Sequence, residues 1–499
     1  MGGQAVGHTR NVKFMSRLYI VLLVMIIISH GASGQSRNAT WCFGDSAGII
    51  FTTSGVLPFT TVIQSQEASA SISDPNGNLL FYSGSIGGNG IHFASVYNNL
   101  NQMLLNGDSI ISAASVTQGL IILPFPTDTN MYFLISIGFI PNISTGLSLY
   151  SADVDLNNGT GLVSNKNKVI DSTVAYSEKM IAVKHGNGRD WWIINHLNNS
   201  DQFVINLIQN DSISLTLSQN IGSVLAGLGW GQMTINPSGN KIVVVDYSGL
   251  LEVFDFNRCS GNLTNYINMS DFPLPGFDRY YGASISPENI LYYSTLDSLW
   301  QINLNSANPI QTKQLVYADP NGNVCMGQHQ LGPNGKIYIA NAMPCGYPST
   351  ITDSLNTHLT VIDKPDSVGS ACNVLPYFQL IGGARSYLGL PNMPNYDLGS
   401  LTGSPCDTLT SIHSELYFEP RIEIFPNPVT DHFKINSSII TNADLFLEIK
   451  IFNSNGKLVL EDKMHKIGDE INFNEYAAGL HAITLSRNGR LWFSKFIKL

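Results

Sequence analysis

The chain has 499 residues, 43% of them hydrophobic and 12% charged, which excludes a disordered polypeptide and leaves room for two or more domains. Its formal net charge is −10, and −13 without residues 1–34, which carry three basic groups and no acid. No basic stripe or run offsets that acidity, so nucleic acid is excluded as a partner.

The first element in chain order is a targeting segment. Leu18–Ser29 (LYIVLLVMIIIS) is apolar, follows Arg10, Lys13 and Arg17, and leads into Ala32-Ser33-Gly34. Basic flank, short apolar run and small residues predict a secretory signal peptide over 1–34, cleaved between Gly34 and Gln35. The run is shorter than the ~20 residues that a spanning helix needs, so no transmembrane anchor is expected in the mature chain.

Next, Gly44-Asp45-Ser46-Ala47-Gly48 fits the G-x-S-x-G pattern of a hydrolase nucleophile. That pattern needs a buried strand before the serine and a helix after it. Few exported residues precede Ser46, and Ile49–Thr53 reads as a further strand, so Ser46 is expected in a tight turn.

From there to about residue 400 the sequence repeats. A turn followed by a β-rich run occurs at Asp74-Pro75-Asn76-Gly77, Asn236-Pro237-Ser238-Gly239 and Gly332-Pro333-Asn334-Gly335. Looser copies start at Pro124, His185 and Pro287. The runs are short, rich in Val, Ile, Tyr and Phe, and bounded by Gly, Asn or Asp, which marks strands. Short strands recurring about every 40–50 residues predict a β-propeller over 35–400. Six turns mark six blades; Tyr377–Leu398, joined by the strand around Trp41–Phe51, is expected to supply a seventh and close the ring.

Within this region Asp153-Val154-Asp155-Leu156-Asn157-Asn158-Gly159 resembles a calcium loop. Its glycine is one place late and Ser164 stands where the bidentate Glu belongs, so a polar turn is the expectation and structural calcium is unsupported. His185, His196, His329 and His358 show no metal spacing, and no cofactor is expected. Trp191-Trp192, Tyr280-Tyr281 and Tyr292-Tyr293 read as core; Trp230, inside GLGWG, is the best candidate for an exposed sugar-stacking ring. Carboxylates paired in a propeller's funnel would suit glycoside hydrolysis. The glutamates available in 35–406 are Glu67, Glu178, Glu252 and Glu288, and local sequence singles out none.

Six cysteines lie in the exported part, an even count that predicts disulfides but leaves 15 pairings open. Residues 401–420 read as a polar linker, and charge density rises beyond it. Residues 421–499 offer about seven short strands with turn signals at Asn455-Gly456 and Asn488-Gly489, predicting a small immunoglobulin-like β-sandwich. The fold class is therefore all-β, a propeller followed by a sandwich.

The C-terminal motifs, Ile424-Phe425-Pro426-Asn427-Pro428, Ile451-Phe452 with Asn455-Gly456-Lys457, Tyr476-Ala477-Ala478-Gly479-Leu480 and Lys495-Phe496-Ile497-Lys498-Leu499, resemble the sorting domain of the Bacteroidota type IX secretion system. His481 departs from the usual pattern, standing where an aromatic is commoner. The resemblance assigns the sorting signal to Phe425, Pro426, Asn427, Pro428, Gly456, Gly479 and Lys498. It implies the type IX machinery as partner, export across the outer membrane, and release or attachment at the cell surface, the sorting domain itself typically being removed.

Residues 41–398 resemble the propeller-like modules of Bacteroidota surface proteins of the gliding-motility-associated type. That likeness rests on Trp41-x-Phe43-Gly44, on Glu67–Tyr82 (EASASISDPNGNLLFY) and on Gln330–Ala340 (QLGPNGKIYIA). It implies fold and location and no reaction. The expected function is a non-enzymatic surface or secreted binding module for a glycan or surface protein. The alternatives are a secreted polysaccharide hydrolase and a structural component in adhesion or motility.

Overall fold

A computed structural model describes residue 2 and residues 37–88, 91–139, 146–157, 161–225, 227, 229–270, 280–320, 322, 324–345, 351–407, 422–437, 446–466, 468–487 and 490–499. The expected cleavage site Gly34–Gln35, the Asn488-Gly489 turn and 408–420 of the expected linker lie outside them. Among the described residues the regular structure is strand, apart from single 3-10 turns at Pro309–Thr312 and Gly369–Cys372.

The chain forms two compact units, Met1–Leu409 and Thr410–Leu499. The first is a β-propeller whose blades are antiparallel sheets taken in chain order. Blade 1 is Thr40–Phe43, Asp45–Thr52 and Gly55–Gln64. Blade 2 is Ser69–Ser73, Leu79–Gly88, Ile91–Asn98 and Ile110–Ile111. Blades 3 and 4 share one seven-stranded sheet: Leu120–Pro124, Met131–Phe139, Leu147–Asp155, Leu162–Lys184, Trp191–Leu197, Gln202–Gln209 and Ser212–Asn220. Blade 5 runs from Met233–Ile235 to Leu263–Asn268, blade 6 from Ala283–Ile285 to Gln314–Ala318, and blade 7 from Cys325–Leu331 to Val374–Leu380. First strands of successive blades pack side by side.

All six repeated turns fall at one structural place, between the first and second strands of blades 2 to 7. The residue types explain why. Asp74 Oδ1 accepts the N–H groups of Asn76 and Asn78 at 2.8 and 2.9 Å, and Gly77 takes φ +87°. Asn236 Oδ1 does the same for Asn240 and Lys241 at 2.9 and 3.0 Å, with Gly239 at +71°. A carboxylate or amide that bonds forward, then a glycine in the left-handed region, reverses the strand.

The seventh blade is built differently from the expectation. Val374–Leu380 is the outer strand of blade 7, and the closing blade is Thr40–Gln64 itself, to which the chain returns over 381–386. Ala384 N donates to Asp45 O, Asp45 N to Arg385 O at 2.9 Å, and Arg385 Nη2 pairs with Asp45 Oδ2 at 2.7 Å. Tyr338 of blade 7 meets Trp41 and Phe51 edge-on, with centroids 5.5 and 5.3 Å away.

Apolar residues are buried mainly between blades. Trp192, Phe203, Ile242 and Phe254 join blades 4 and 5, Val243, Leu251, Tyr280 and Tyr293 join 5 and 6, and Tyr292, Leu299, Ile337 and Ile339 join 6 and 7. Beyond 386 the chain threads the axis. Gln328 N donates to Leu388 O at 2.7 Å, Leu390 N to Gln328 Oε1 at 2.7 Å, and Asn392 N to Ser69 O at 2.9 Å. Tyr396 then donates its hydroxyl to Ile122 O at 2.8 Å.

Residues 401–407, expected as the start of a linker, are fixed to the propeller. Leu401 N donates to Gly186 O at 2.8 Å, and Cys406 is disulfide-bonded to Cys259. Cys325 is bonded to Cys345, while Cys42 and Cys372 are buried thiols.

The second unit pairs a three-stranded sheet (Ile422–Phe425, His432–Ser437, Glu470–Asn472) with a four-stranded one (Leu458–Lys466, Phe446–Asn453, Gly479–Arg487, Arg490–Lys498). Phe433, Ile449, Ile451, Phe473, Ile483 and Phe496 fill the space between them, consistent with an immunoglobulin-like sandwich.

Candidate functional site

The first strands of the blades run along the axis, so residues just before them gather at one end. There Glu67, Ser115, Glu178, Trp230, Tyr247, Tyr281 and Tyr387 line a cavity of about 210 Å³, floored in part by Leu388 of the axial segment. Ser115 Oγ donates to Glu67 Oε1 at 3.2 Å, and Thr117 gives Glu178 Oε2 both its hydroxyl (2.7 Å) and its backbone N–H (3.0 Å). The Tyr281 hydroxyl lies 3.4 Å from Thr117 Oγ1, so three hydroxyls from two segments tie the two carboxyls together.

Electrostatics follow from that crowding. Burial pushes the Glu67 carboxyl up, against its hydrogen bonds from Tyr281, Ser115 and Thr117. Burial, then the neighbouring Glu67 charge, push Glu178 well above the ordinary carboxylate range. The Tyr281 phenol is also held protonated, by burial and then by the two glutamates. Adjacent Lys179 does not neutralise the pair. Its Nζ is 3.2 Å from buried Asp246 Oδ2 and donates to the carbonyls of Gly229, Trp230 and Gly231 at 3.0, 3.1 and 3.2 Å. Lys179 thus clamps the glycine-rich loop that carries Trp230, a residue 37% exposed whose ring meets Tyr247 edge-on at 5.3 Å.

Trp230 was legible in the sequence as a ring that blade packing does not consume. The glutamate pair was not, although the repeat carries a signal for it. Seven residues before the equivalent turn residues Asp74 and His185 stand Glu67 and Glu178. Equal phase in the repeat means equal depth along the axis.

The other candidates are scattered. Ser46, expected in a tight turn, instead sits at φ +60° near the start of the strand Asp45–Thr52, where its pairing with the third strand shifts register between Asp45 and Ala47. His196 and His329 are buried and neutral, burial lowering them to about 4 and about 3. Trp191, Trp192, Tyr280, Tyr292 and Tyr293 are core. Asp153 accepts from Asn165 on the neighbouring strand and Asp155 from Asn157 N in the turn that follows it, and 158–159 lie outside the described residues. Glu252 is in blade 5, bonded to Ser223 and Tyr266. At the far end of the axis a more polar cavity of about 300 Å³ is lined by Gln118, Gln232, His329, Asn392 and Asn395 among others.

In the second unit the proposed sorting residues are divided between the last strand and two strand ends. Asn427 Oδ1 accepts Ile497 N at 3.0 Å, and Val429 N donates to Ile497 O at 2.7 Å, so the Phe425-Pro426-Asn427-Pro428 turn docks on the last strand. Gly456, at φ +73°, closes the Asn453–Lys457 turn, Gly479 starts a strand at +134°, and Lys498 Nζ donates to Leu499 O. His481 is buried and stacks on Phe496 at 5.5 Å, doing the packing of the aromatic usual there.

Residues 423–499 match the family described as the secretion system C-terminal sorting domain. No curated protein matches the chain. Among solved structures the chain is similar to PorZ, a surface component of the type IX secretion system of Porphyromonas gingivalis, at 11% identity and TM-score 0.35 over 93% of this chain and 69% of that one. A putative 6-phosphogluconolactonase from Bacteroides fragilis gives 11% and 0.44 over 70% and 96%. A quinoprotein alcohol dehydrogenase-like protein from Bacteroides thetaiotaomicron gives 12% and 0.38 over 70% and 77%. The propeller assignment rests on the sheets themselves, and the sorting domain marks the chain for export across the outer membrane.

Proposed function

We propose that this exported propeller is a non-enzymatic binding module that takes the end of a glycan into its axial cavity. The observation that carries the reading is the cavity's make-up: aromatic rings of Trp230, Tyr247 and Tyr387 together with hydrogen-bonding carboxyls and hydroxyls. Rings stack on the C–H faces of sugars, while protonated carboxyls both donate to and accept from sugar hydroxyls. A cavity of about 210 Å³ is smaller than the ~300–1,000 Å³ usual for drug-sized ligands, so it suits one terminal unit rather than an internal stretch. The purified chain, incubated with immobilised polysaccharides, is expected to be retained without releasing reducing ends. Trp230→Ala should weaken retention about tenfold or more, by the size of a stacking contact. Retention unchanged in that variant would remove the cavity from the reading.

A hydrolase is the second reading, favoured by the same Glu67–Glu178 pair, since one carboxyl kept protonated is the form a general acid requires. It requires reducing ends to appear and to vanish in Glu178→Gln. Absence of both signals would move the weight to adhesion or motility.

A further inference from the structure

From the cavity's walls and floor we propose that the ligand presents an ammonium group to Glu67 and Glu178, as the end of a glycan with a free amino sugar does. This rests on the glycan reading above and names the chemistry it selects.

The two glutamates line one cavity, and both converge on the Thr117 hydroxyl. A pair of buried carboxyls ordinarily has a cation between or beside it. The charged groups around this pair are already engaged. Lys179 is committed to Asp246 and three carbonyls, and Arg385 lies over the Tyr387 ring and is paired with Asp45. Glu178 Oε2 takes both hydrogen bonds from Thr117, while the side chain as a whole lines the cavity with only 5% of the residue exposed. A proton held on the pair therefore stands where a ligand's positive charge fits.

The walls distinguish an organic cation from a metal ion. Trp230, Tyr247, Tyr281 and Tyr387 give the cavity aromatic sides, which attract ammonium through the ring quadrupole. Among the described residues no three His, Cys, Asp or Glu side chains gather as a metal site would require. When the ammonium enters, the pair ionises against it, the displaced proton leaves to solvent, and each N–H donates to an oxygen already in place.

The test is calorimetry of the purified chain with glucosamine, N-acetylglucosamine, glucose and methylammonium near pH 7, in two buffers of different ionisation heat. Glucosamine is expected to bind on the order of ten- to a hundredfold more tightly than N-acetylglucosamine, the ratio of a charge-assisted to an absent contact. It should also release protons, which the neutral sugars should not. Glu67→Gln with Glu178→Gln should erase both the preference and the proton release. The proton release in the unaltered protein stands on its own if that variant fails to fold. Equal affinity for all three sugars, with no proton released, would overturn the ammonium proposal and leave the glycan reading. Methylammonium binding without any sugar binding would do the reverse. No binding of any probe would overturn both.

Discussion

Glu67 and Glu178 are neighbours in space because each precedes its blade's first turn by the same seven residues, and their chemistry follows from depth rather than from unusual flanking residues. That depth has a sign in stability. Both carboxyls hold their proton more tightly folded than unfolded, where the ordinary value is 4.5. Their contribution is therefore complete below that value and is lost as pH rises through the raised folded pKa. Because Gln mimics the protonated acid, the Glu67→Gln, Glu178→Gln variant should melt with the parent at about pH 4. It should melt above the parent at about pH 8, by on the order of 2–4 °C for each kcal/mol relieved. Melting curves across that range check it, and a variant less stable than its parent at the higher pH would show that the ionised pair is welcome where it sits.

At the scale of elements, the axial segment 387–397 sets the cavity's depth. Gly389 passes so close to Glu67 that an added Cβ would fall inside the van der Waals envelope of the Glu67 carbonyl oxygen. Gly389→Ala should therefore displace the segment or blade 2, at a cost of about 1–3 kcal/mol, and weaken ligand binding at the same time. Urea titration and ligand titration of one sample read both; loss of stability with binding intact would uncouple segment from site. The strands and their turns were legible in the sequence because Asp, Asn and Gly act locally, over four or five residues. The axial segment was not, because the backbones of Leu388, Leu390 and Asn392 hydrogen-bond to Gln328 (main chain and side chain) and to Ser69, far away in sequence. The ring's closure was half legible. Trp41–Phe51 does belong to the closing blade, but Tyr377–Leu380 completes blade 7. Extended polar chain such as GGARSYLGLPNMPNYDL carries no periodic signal of the partner it will find.

Across the whole molecule, seven blades in sequence make a ring whose ends must be tied, and two ties are visible. Arg385 with Asp45 joins last to first, and Cys259 with Cys406 pins the segment that leaves the axis. The pairing could not be read from six cysteines, because 147 residues separate the partners and only the fold brings blade 5 beside that segment. A cross-link spanning so long a loop restricts the unfolded chain by an amount worth on the order of 4–5 kcal/mol. Cys259→Ser with Cys406→Ser should lower the melting temperature and open residues 387–407 to protease, while Cys325–Cys345 remains formed; an unchanged digestion pattern would show that the axial hydrogen bonds alone suffice. The position of that cross-link also matters mechanically. The sorting domain at 423–499 is the handle by which export acts on this chain, and it lies downstream of the axial segment. A pull on the handle meets Cys406 before it reaches residue 397, and the load passes sideways into blade 5 through Cys259. The disulfide works as strain relief on a cable: a load applied beyond Cys406 is shared with blade 5 before it reaches the thread through the ring.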